Sequence, residues 1–370
     1  MDDFNMLSNG LPVRGLTEPP SRTQPKRTVA HKGRKRTGSS GASRQKLSFV
    51  LPIHNERESI EALCARLSVV MDGLRETCEA IMVDDGSLDD TYEILQDIHL
   101  RDARFKLVRL SRNFGHQAAI TAGLDLASGD AVVVMDADLQ HPPEAVPDLV
   151  ARWHEGFEVV NAVCSDRHGD TRFKRSSARA FYWMLKRLTK MEVTRNAGDF
   201  RLVDRCAVEA LKAMRENARY LRGMFSWVGF RQTTVPYEYE ARFDGEPKYD
   251  LARMLHLGMD GIASFSDAPL KIALHIGFFV AGLSFLAGIS DIVTKLVGGN
   301  TVPGWLSLAI TVSFLGGMQL VILGVMGIYM GRMYDEVKNR PLYIVRDLAG
   351  VDVPENAQAR SLVVKARRFE

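Results

Sequence analysis

Two runs near the carboxyl end of the chain, residues 272 to 290 and 296 to 331, contain no Asp, Glu, Lys or Arg. A helix needs about 20 apolar residues to cross a bilayer, and the second run exceeds that length. Gly298, Gly299, Asn300 and Pro303 fall between them and break helical continuity, so the pattern predicts two spanning helices joined by a short hairpin. Two buried helices of a soluble protein are the alternative, and the length of the second run argues against it. The hairpin has only Lys295 nearby, whereas Lys271 precedes the first span and Arg332, Lys338, Arg340 and Arg346 follow the second. Positive charge stays on the cytoplasmic side, which puts both termini there.

The remaining organisation is set by where charge collects. Net charge is only +3 over 370 residues, yet Arg22 to Lys46 holds nine Lys or Arg and no acid. This arm, residues 1 to 46, has too little apolar surface to fold and reads as disordered. It has no interleaved aromatic residues for base stacking, so no nucleic-acid partner is expected. Attraction to the lipids of an anionic leaflet accounts for it and for the basic tail Lys365 to Arg368. No apolar core of a signal peptide opens the chain. Cys64, Cys78, Cys164 and Cys206 form no close pair, which argues against a structural zinc site and a disulfide framework and reads as buried thiols in a reducing compartment. Leu251, Met254, Leu255, Met259 and Ile262 share one helical face, so residues 248 to 270 read as a juxtamembrane helix lying in the interface. A soluble domain over 47 to 247, two transmembrane helices over 271 to 331 and a cytoplasmic tail over 332 to 370 complete the plan.

Within the soluble part, apolar runs alternate with helical patterns. Strands are expected at 47 to 51, 80 to 83, 105 to 110, 132 to 135 and 157 to 163, with helices over Glu56 to Met71, from Asp89-Asp90 to about Ile98, and over Gly115 to Ala127. This is a doubly wound α/β sheet, whose ligands belong at the carboxyl ends of its strands. Polar residues gather there: Pro52, His54, Asn55 and Glu56 after the first strand, Asp84 and Asp85 after the second, Arg112, Asn113 and Gly115 after the third. The fourth strand ends in MDADLQHPP, placing Asp136, Asp138 and Gln140 at alternating positions. Two carboxylates two residues apart at such an end suit Mg2+ or Mn2+, with ligand phosphates completing the shell. Taken alone, each such loop is also ordinary turn chemistry. No GxGxxG or GxxxxGK[ST] follows the first strand, so neither a dinucleotide fold nor a P-loop is supported.

LPIHNE, VDDGS, RNFGHQAAITAGLDLASGDAVVVMDADLQHPPE, GDFRLVDR and DGEPKY, in that order, resemble the family-2 glycosyltransferases of GT-A fold, and most of all their polyprenyl-phosphate branch, which includes dolichyl-phosphate mannose synthase and bacterial polyprenyl-phosphate glucosyltransferases. The resemblance runs from about Leu47 to Val345. It implies a GT-A nucleotide-sugar-binding domain, with interfacial amphipathic helices and a C-terminal two-helix transmembrane hairpin. It also implies that Pro52, His54, Glu56 and Asp85 line the nucleoside pocket beside Val83, and that Asp136, Ala137, Asp138 and Gln140 hold the metal and donor diphosphate. Two departures stand out. The family usually has Tyr where His54 stands and Ser where Pro247 stands, and the second stiffens the loop that presents Lys248.

The basic stretch from Arg167 to Met191, with Phe181, Leu185 and Leu188 on one helical face, suits an anionic membrane surface. The resemblance makes it the acceptor side and points to Arg167, Arg175 and Ser177 for the lipid phosphate. Arg242 and Lys248 are the expected partners of donor phosphates. Asp199 in GDFRL orients the sugar, acts as a base or is a structural cap. The implied reaction moves one sugar from a UDP- or GDP-sugar to a polyprenyl phosphate with inversion, for glycan or cell-envelope modification. A processive polysaccharide synthase is disfavoured by the lack of a QxxRW sequence and by only two spans, and a silent nucleotide-sensing scaffold by the intact Asp136, Asp138 and Gln140 set. The resemblance further implies a homotetramer. Sugar, base and receiving glycan are open.

Overall fold

A computed structural model describes residues 44–164, 197–217, 219–238, 268–297, 304–351 and 363–368. The chain enters through β1 (Lys46–Ile53), of which all but the first residue is buried, and α1 (Ile60–Gly73). It continues through β2 (Thr77–Asp84), α2 (Thr91–Arg101), β3 (Phe105–Leu110), α3 (His116–Leu126) and β4 (Ala131–Val134). A 3-10 turn (Pro143–Ala145), α4 (Val146–His154) and β5 (Val159–Cys164) follow. Next come β6 (Ala197–Asp204), α5 (Arg205–Ala213), α6 (Leu221–Trp227) and β7 (Gln232–Tyr237). Two long helices, α7 (Ala268–Leu296) and α8 (Trp305–Lys338), lead to β8 (Val345–Ala349) and β9 (Val363–Arg368).

The strands form one sheet in the order β7-β5-β6-β4-β1-β2-β3-β8-β9. Its centre, β4-β1-β2-β3, is parallel as expected. The sheet as a whole is mixed rather than doubly wound and parallel, because β6 runs antiparallel between β4 and β5 and β8 runs antiparallel to β3. Residues 345–349, read from sequence as part of a tail, thus extend the sheet beyond β3, with β9 outside them.

Strand alternation divides the core between the two faces. Phe49, Leu51 and Val133 pack with Leu63, Leu67 and Trp153 from α1 and α4, whereas Val50, Val132 and Val134 pack with Ile120 and Leu124 of α3 and Val208 of α5. A Cβ on Gly123 would stand 2.2 Å from Val50 Cγ1, so a glycine there lets α3 lie directly on β1. Boundaries shift where side chains take over from periodicity. α1 begins at Ile60 and not at Glu56, because Asn55 has φ +56° and Ser59 Oγ donates to Glu56 Oε2 at 2.8 Å, which makes 55–59 a turn. Asp90 occupies the N-cap position of α2 without a side-chain cap, and Asp89 Oδ1 accepts from Thr91 N instead. Cys64 and Cys164 are buried, but Cys206 is exposed in the first turn of α5, against the expectation of four buried thiols.

Residues 272–290 and 305–331 of the two C-terminal uncharged runs are helical and expose large apolar side chains, among them Phe278, Phe285 and Leu320. Among the described residues one stretch, Phe314–Lys338, is long and apolar enough to cross a membrane by length and composition, and none of its apolar window is buried. Leu270–Val280 is a shorter apolar stretch. The basic arm before residue 44, the 165–196 acceptor-side stretch and the interfacial helix up to residue 267 lie outside the described residues.

Candidate active site

At the carboxyl ends of β1, β2 and β4 a cavity of about 420 Å3 opens, lined by Pro52, His54, Glu56 and Asp85 together with Asp136, Ala137 and Asp138. The expected nucleoside and diphosphate residues therefore meet, with two exceptions. Val83 is wholly buried in β2, opposite Pro52, and does not line the cavity. Gln140 does not line it either; its backbone N–H donates to Asp138 Oδ1 at 3.1 Å across a turn in which Leu139 has φ +63°. Arg167, Arg175, Ser177, Arg242 and Lys248 lie outside the described residues.

Each loop is held by its own polar residues. The Asp85 carboxylate accepts from Phe114 N at 2.7 Å and Gly115 N at 2.8 Å, which ties the β2 loop to the start of α3. Burial outweighs those bonds and pushes the carboxyl above its ordinary value. Gly86, at φ +68°, lets the two loops touch, since a Cβ there would stand 2.6 Å from the backbone carbon of Arg112. His54 Nε2 faces two amides, Asn113 Nδ2 at 3.0 Å and Asn55 Nδ2 at 3.2 Å, and so acts as an acceptor.

Asp136 follows a strand with no exposed residue, and its backbone N–H donates to His141 Nδ1 at 3.0 Å. That nitrogen therefore presents its lone pair, and its 3.6 Å approach to Asp136 Oδ2 is not a hydrogen bond. Asp136 Oδ1 is buried and has no hydrogen-bond partner, and burial pushes its carboxyl up. The nearest cation to that oxygen is His116, whose Nε2 stands 3.5 Å away, too far for a good hydrogen bond. Among the described residues no three His, Cys, Asp or Glu side chains gather tightly enough to enclose a metal. Asp136 and Asp138 together still fit a hard divalent cation that takes its other ligands from phosphate and water, since both offer oxygen and one is unsatisfied.

Beside them, on the adjacent strand β6, Asp199 is 6% exposed and gripped by cations. Arg222 Nε and Nη2 fork onto its two oxygens at 2.9 and 3.0 Å, His116 Nε2 is 3.3 Å away, and Arg201 Nη2 is 3.8 Å away. Burial works to raise the Asp199 carboxyl, but the hydrogen bonds from His116 and Arg222, with the charge of Arg201, outweigh it and hold the group far below the usual range. Burial brings the Arg201 guanidinium down to about 10 against the pull of Asp199. Such a carboxylate has little basicity to spare, which suits orientation better than proton abstraction. His116 and Arg222 line the cavity and were not singled out in the sequence. Each partner is distant in the chain; the available signals were an arginine within the apolar YLRGMFSW and a histidine directly after Gly115.

The description "Glycosyl transferase family 2" matches residues 48–212. An uncharacterized glycosyltransferase of Bacillus subtilis (strain 168), YkcC, is 46% identical over 82% of this chain and 94% of its own length. The SfII prophage-derived bactoprenol glucosyl transferase of Shigella flexneri is 40% identical over 81% of this chain and 97% of its own length. Among solved structures, glucosyl-3-phosphoglycerate synthase of Mycobacterium tuberculosis is similar over 59% of this chain and 78% of that one, at 20% identity and a TM-score of 0.41.

Proposed function

The chain belongs to glycosyl transferase family 2, and on that premise we propose that it transfers one sugar from a nucleotide sugar to a polyprenyl phosphate at the cytoplasmic membrane surface. The observation that carries the reading is the cavity that Asp136 and Asp138 share with the Asp199–Arg222 pair. Similarity to a bactoprenol glucosyl transferase over 97% of its length supports a polyprenyl phosphate as acceptor.

The chemistry needs few groups. A phosphate monoester has its second pKa near about 6 and is mostly dianionic at neutral pH, so it can attack the sugar C1 without a strong base. The new C1–O bond forms as the bond to the donor diphosphate breaks, and attack from the opposite face inverts the anomeric centre. Asp136 and Asp138 would hold Mg2+ or Mn2+, which when bound supplies positive charge to the diphosphate. Arg222 adds a cation fixed in advance by Asp199, and a preorganised charge reorganises little during reaction. Arg242 and Lys248 meet the donor phosphates, and Arg167, Arg175 and Ser177 the acceptor phosphate.

Helices α7 and α8 supply the membrane end. At a rise of about 1.5 Å per residue, the 34 residues of α8 exceed a hydrocarbon core of about 30 Å, and the charge-free part of α7, residues 272 to 290, comes close to it. Their exposed Phe and Leu side chains would be costly in water and are at home in lipid. With Lys271 before α7 and Arg332 and Lys338 at the end of α8, two spans would keep the cavity on the side where nucleotide sugars are made, the leaflet whose anionic lipids attract the basic arm.

The test is transfer by the purified full chain in nanodiscs, with Mg2+ or Mn2+, a polyprenyl phosphate and a panel of UDP- and GDP-sugars. A lipid-phosphate-linked sugar from one donor is the expected product. Absence of transfer across the whole panel overturns the reading.

A further inference from the structure

Helix α3 carries Gln117, Thr121 and Asp125 at successive turns of one face, and none of them lines the cavity. Each holds a different point of one segment. Gln117 Oε1 accepts the backbone N–H of Leu221 at 3.1 Å, and Thr121 Oγ1 accepts Arg219 Nη1 at 2.9 Å. The Thr121 hydroxyl donates to Gln117 O at 2.7 Å, so its lone pair is turned to the arginine. Asp125 accepts Arg215 Nη1 on Oδ2 at 2.8 Å and Nη2 on Oδ1 at 3.3 Å. As α3 runs from 117 to 125 its partners run from 221 back to 215, so helix and segment lie antiparallel.

Both ends lead to functional ground. His116 stands one residue before Gln117 and Arg222 one residue after Leu221, and both reach Asp199 in the cavity. At the far end Asp125 Oδ2 also accepts Tyr343 Oη at 2.8 Å, and Tyr343, 2% exposed, comes shortly after α8 ends at Lys338. In the last turn of α8, Glu336 accepts Asn217 N at 2.8 Å and Nδ2 at 3.1 Å. The polar face of α3 thus reaches from the cavity to the exit of the apolar helix.

We propose that Gln117, Thr121 and Asp125 form a positioning rail that fixes the exit of α8 and the cavity residue Arg222 relative to each other, setting the height at which a membrane-held phosphate meets the donor. The proposal rests on the functional reading above. A lipid phosphate is confined to the head-group plane and cannot move to meet a displaced cavity, whereas a water-soluble phosphate enters freely. Misplacement by about 1 Å can cost about a hundredfold in rate, so a small loss of registration is measurable.

Tyr343→Phe removes one hydrogen bond at the membrane end and leaves the cavity untouched. In nanodiscs, its kcat with a long-chain polyprenyl phosphate should fall about tenfold, while kcat with a short-chain, water-soluble isoprenyl phosphate and KM for the nucleotide sugar stay within about twofold. Thr121→Val, which frees Arg219 in the middle of the segment that ends at Arg222, should slow both acceptors. Tyr343→Phe slowing both acceptors alike, or neither, overturns the rail. Hydrogen exchange on the full chain gives a readout independent of activity: Asp125→Asn should speed exchange in both 215–222 and 336–345, and unchanged exchange in either segment overturns the rail. A wild type that uses neither acceptor refutes the functional reading and leaves exchange to decide the rail.

Discussion

Replacing Glu79 by Gln should cost about 3 kcal/mol at pH 7, with the loss shrinking as pH falls towards 2 and with the activity of the folded protein unchanged. Glu79 lies on β2 towards the amino ends of the strands, opposite the cavity, and is 3% exposed. Its Oε2 meets Lys46 Nζ and Lys106 Nζ, each at 2.8 Å, and its Oε1 accepts from Ser48 Oγ at 2.6 Å, Ser128 Oγ at 2.8 Å and Ser128 N at 3.0 Å. Burial alone would raise this carboxyl, but Lys106, Lys46, Ser48 and Ser128 outweigh it and bring it from 4.5 down to about 2. At about 1.4 kcal/mol per unit of pKa, that depression is worth about 3 kcal/mol. Because the folded value is depressed, the contribution is complete above the unfolded carboxyl pKa of about 4.3 and is lost as pH falls through about 2. Thermal unfolding of the full chain in detergent, followed by circular dichroism, should show Tm lower by about 6–12 °C at pH 7, and the gap should fall to about half by pH 3. Equal Tm at pH 7, or a gap that does not change with pH, would refute the assignment.

Asp199→Asn leaves Arg201 and Arg222 without their shared carboxylate and should lower stability by about 3–5 kcal/mol and kcat/KM by at least about a hundredfold, measured by thermal shift and transfer assay. Gly86→Ala places a Cβ against the Arg112 backbone at a positive φ; it should cost about 1–3 kcal/mol and weaken nucleotide binding in a titration. Asp138→Ala should abolish metal-dependent transfer and leave membrane insertion intact, as checked by carbonate extraction, and full activity would refute the metal assignment.

The parallel centre of the sheet was legible because its strands are short apolar runs ended by polar turns, and β3 has the bounds its sequence predicts. β6 was not, since AGDFRLVD mixes charge into a buried strand. Asp199, Arg201 and Asp204 are each under 7% exposed, and Asp204 is satisfied by Trp153 Nε1 at 2.7 Å, a partner on another element. The same reason hid half of the candidate site. Asp136 and Asp138 announce themselves by spacing beside a strand, whereas His116 and Arg222 matter only because the fold brings them to Asp199, 83 and 23 residues away. Gln140 shares the alternating spacing of the two acids, but the turn at Leu139 commits its backbone to Asp138. β8 escaped notice because its order depends on pairing with β3, across most of the length of the domain.

The most direct measurement is the structure of the product formed from a nucleotide sugar and a polyprenyl phosphate by the purified protein. Direct displacement predicts, by mass spectrometry and NMR, one sugar per lipid phosphate with the anomeric configuration opposite to the donor's. A product of retained configuration, a polymer, or free sugar with no lipid-linked product would contradict it.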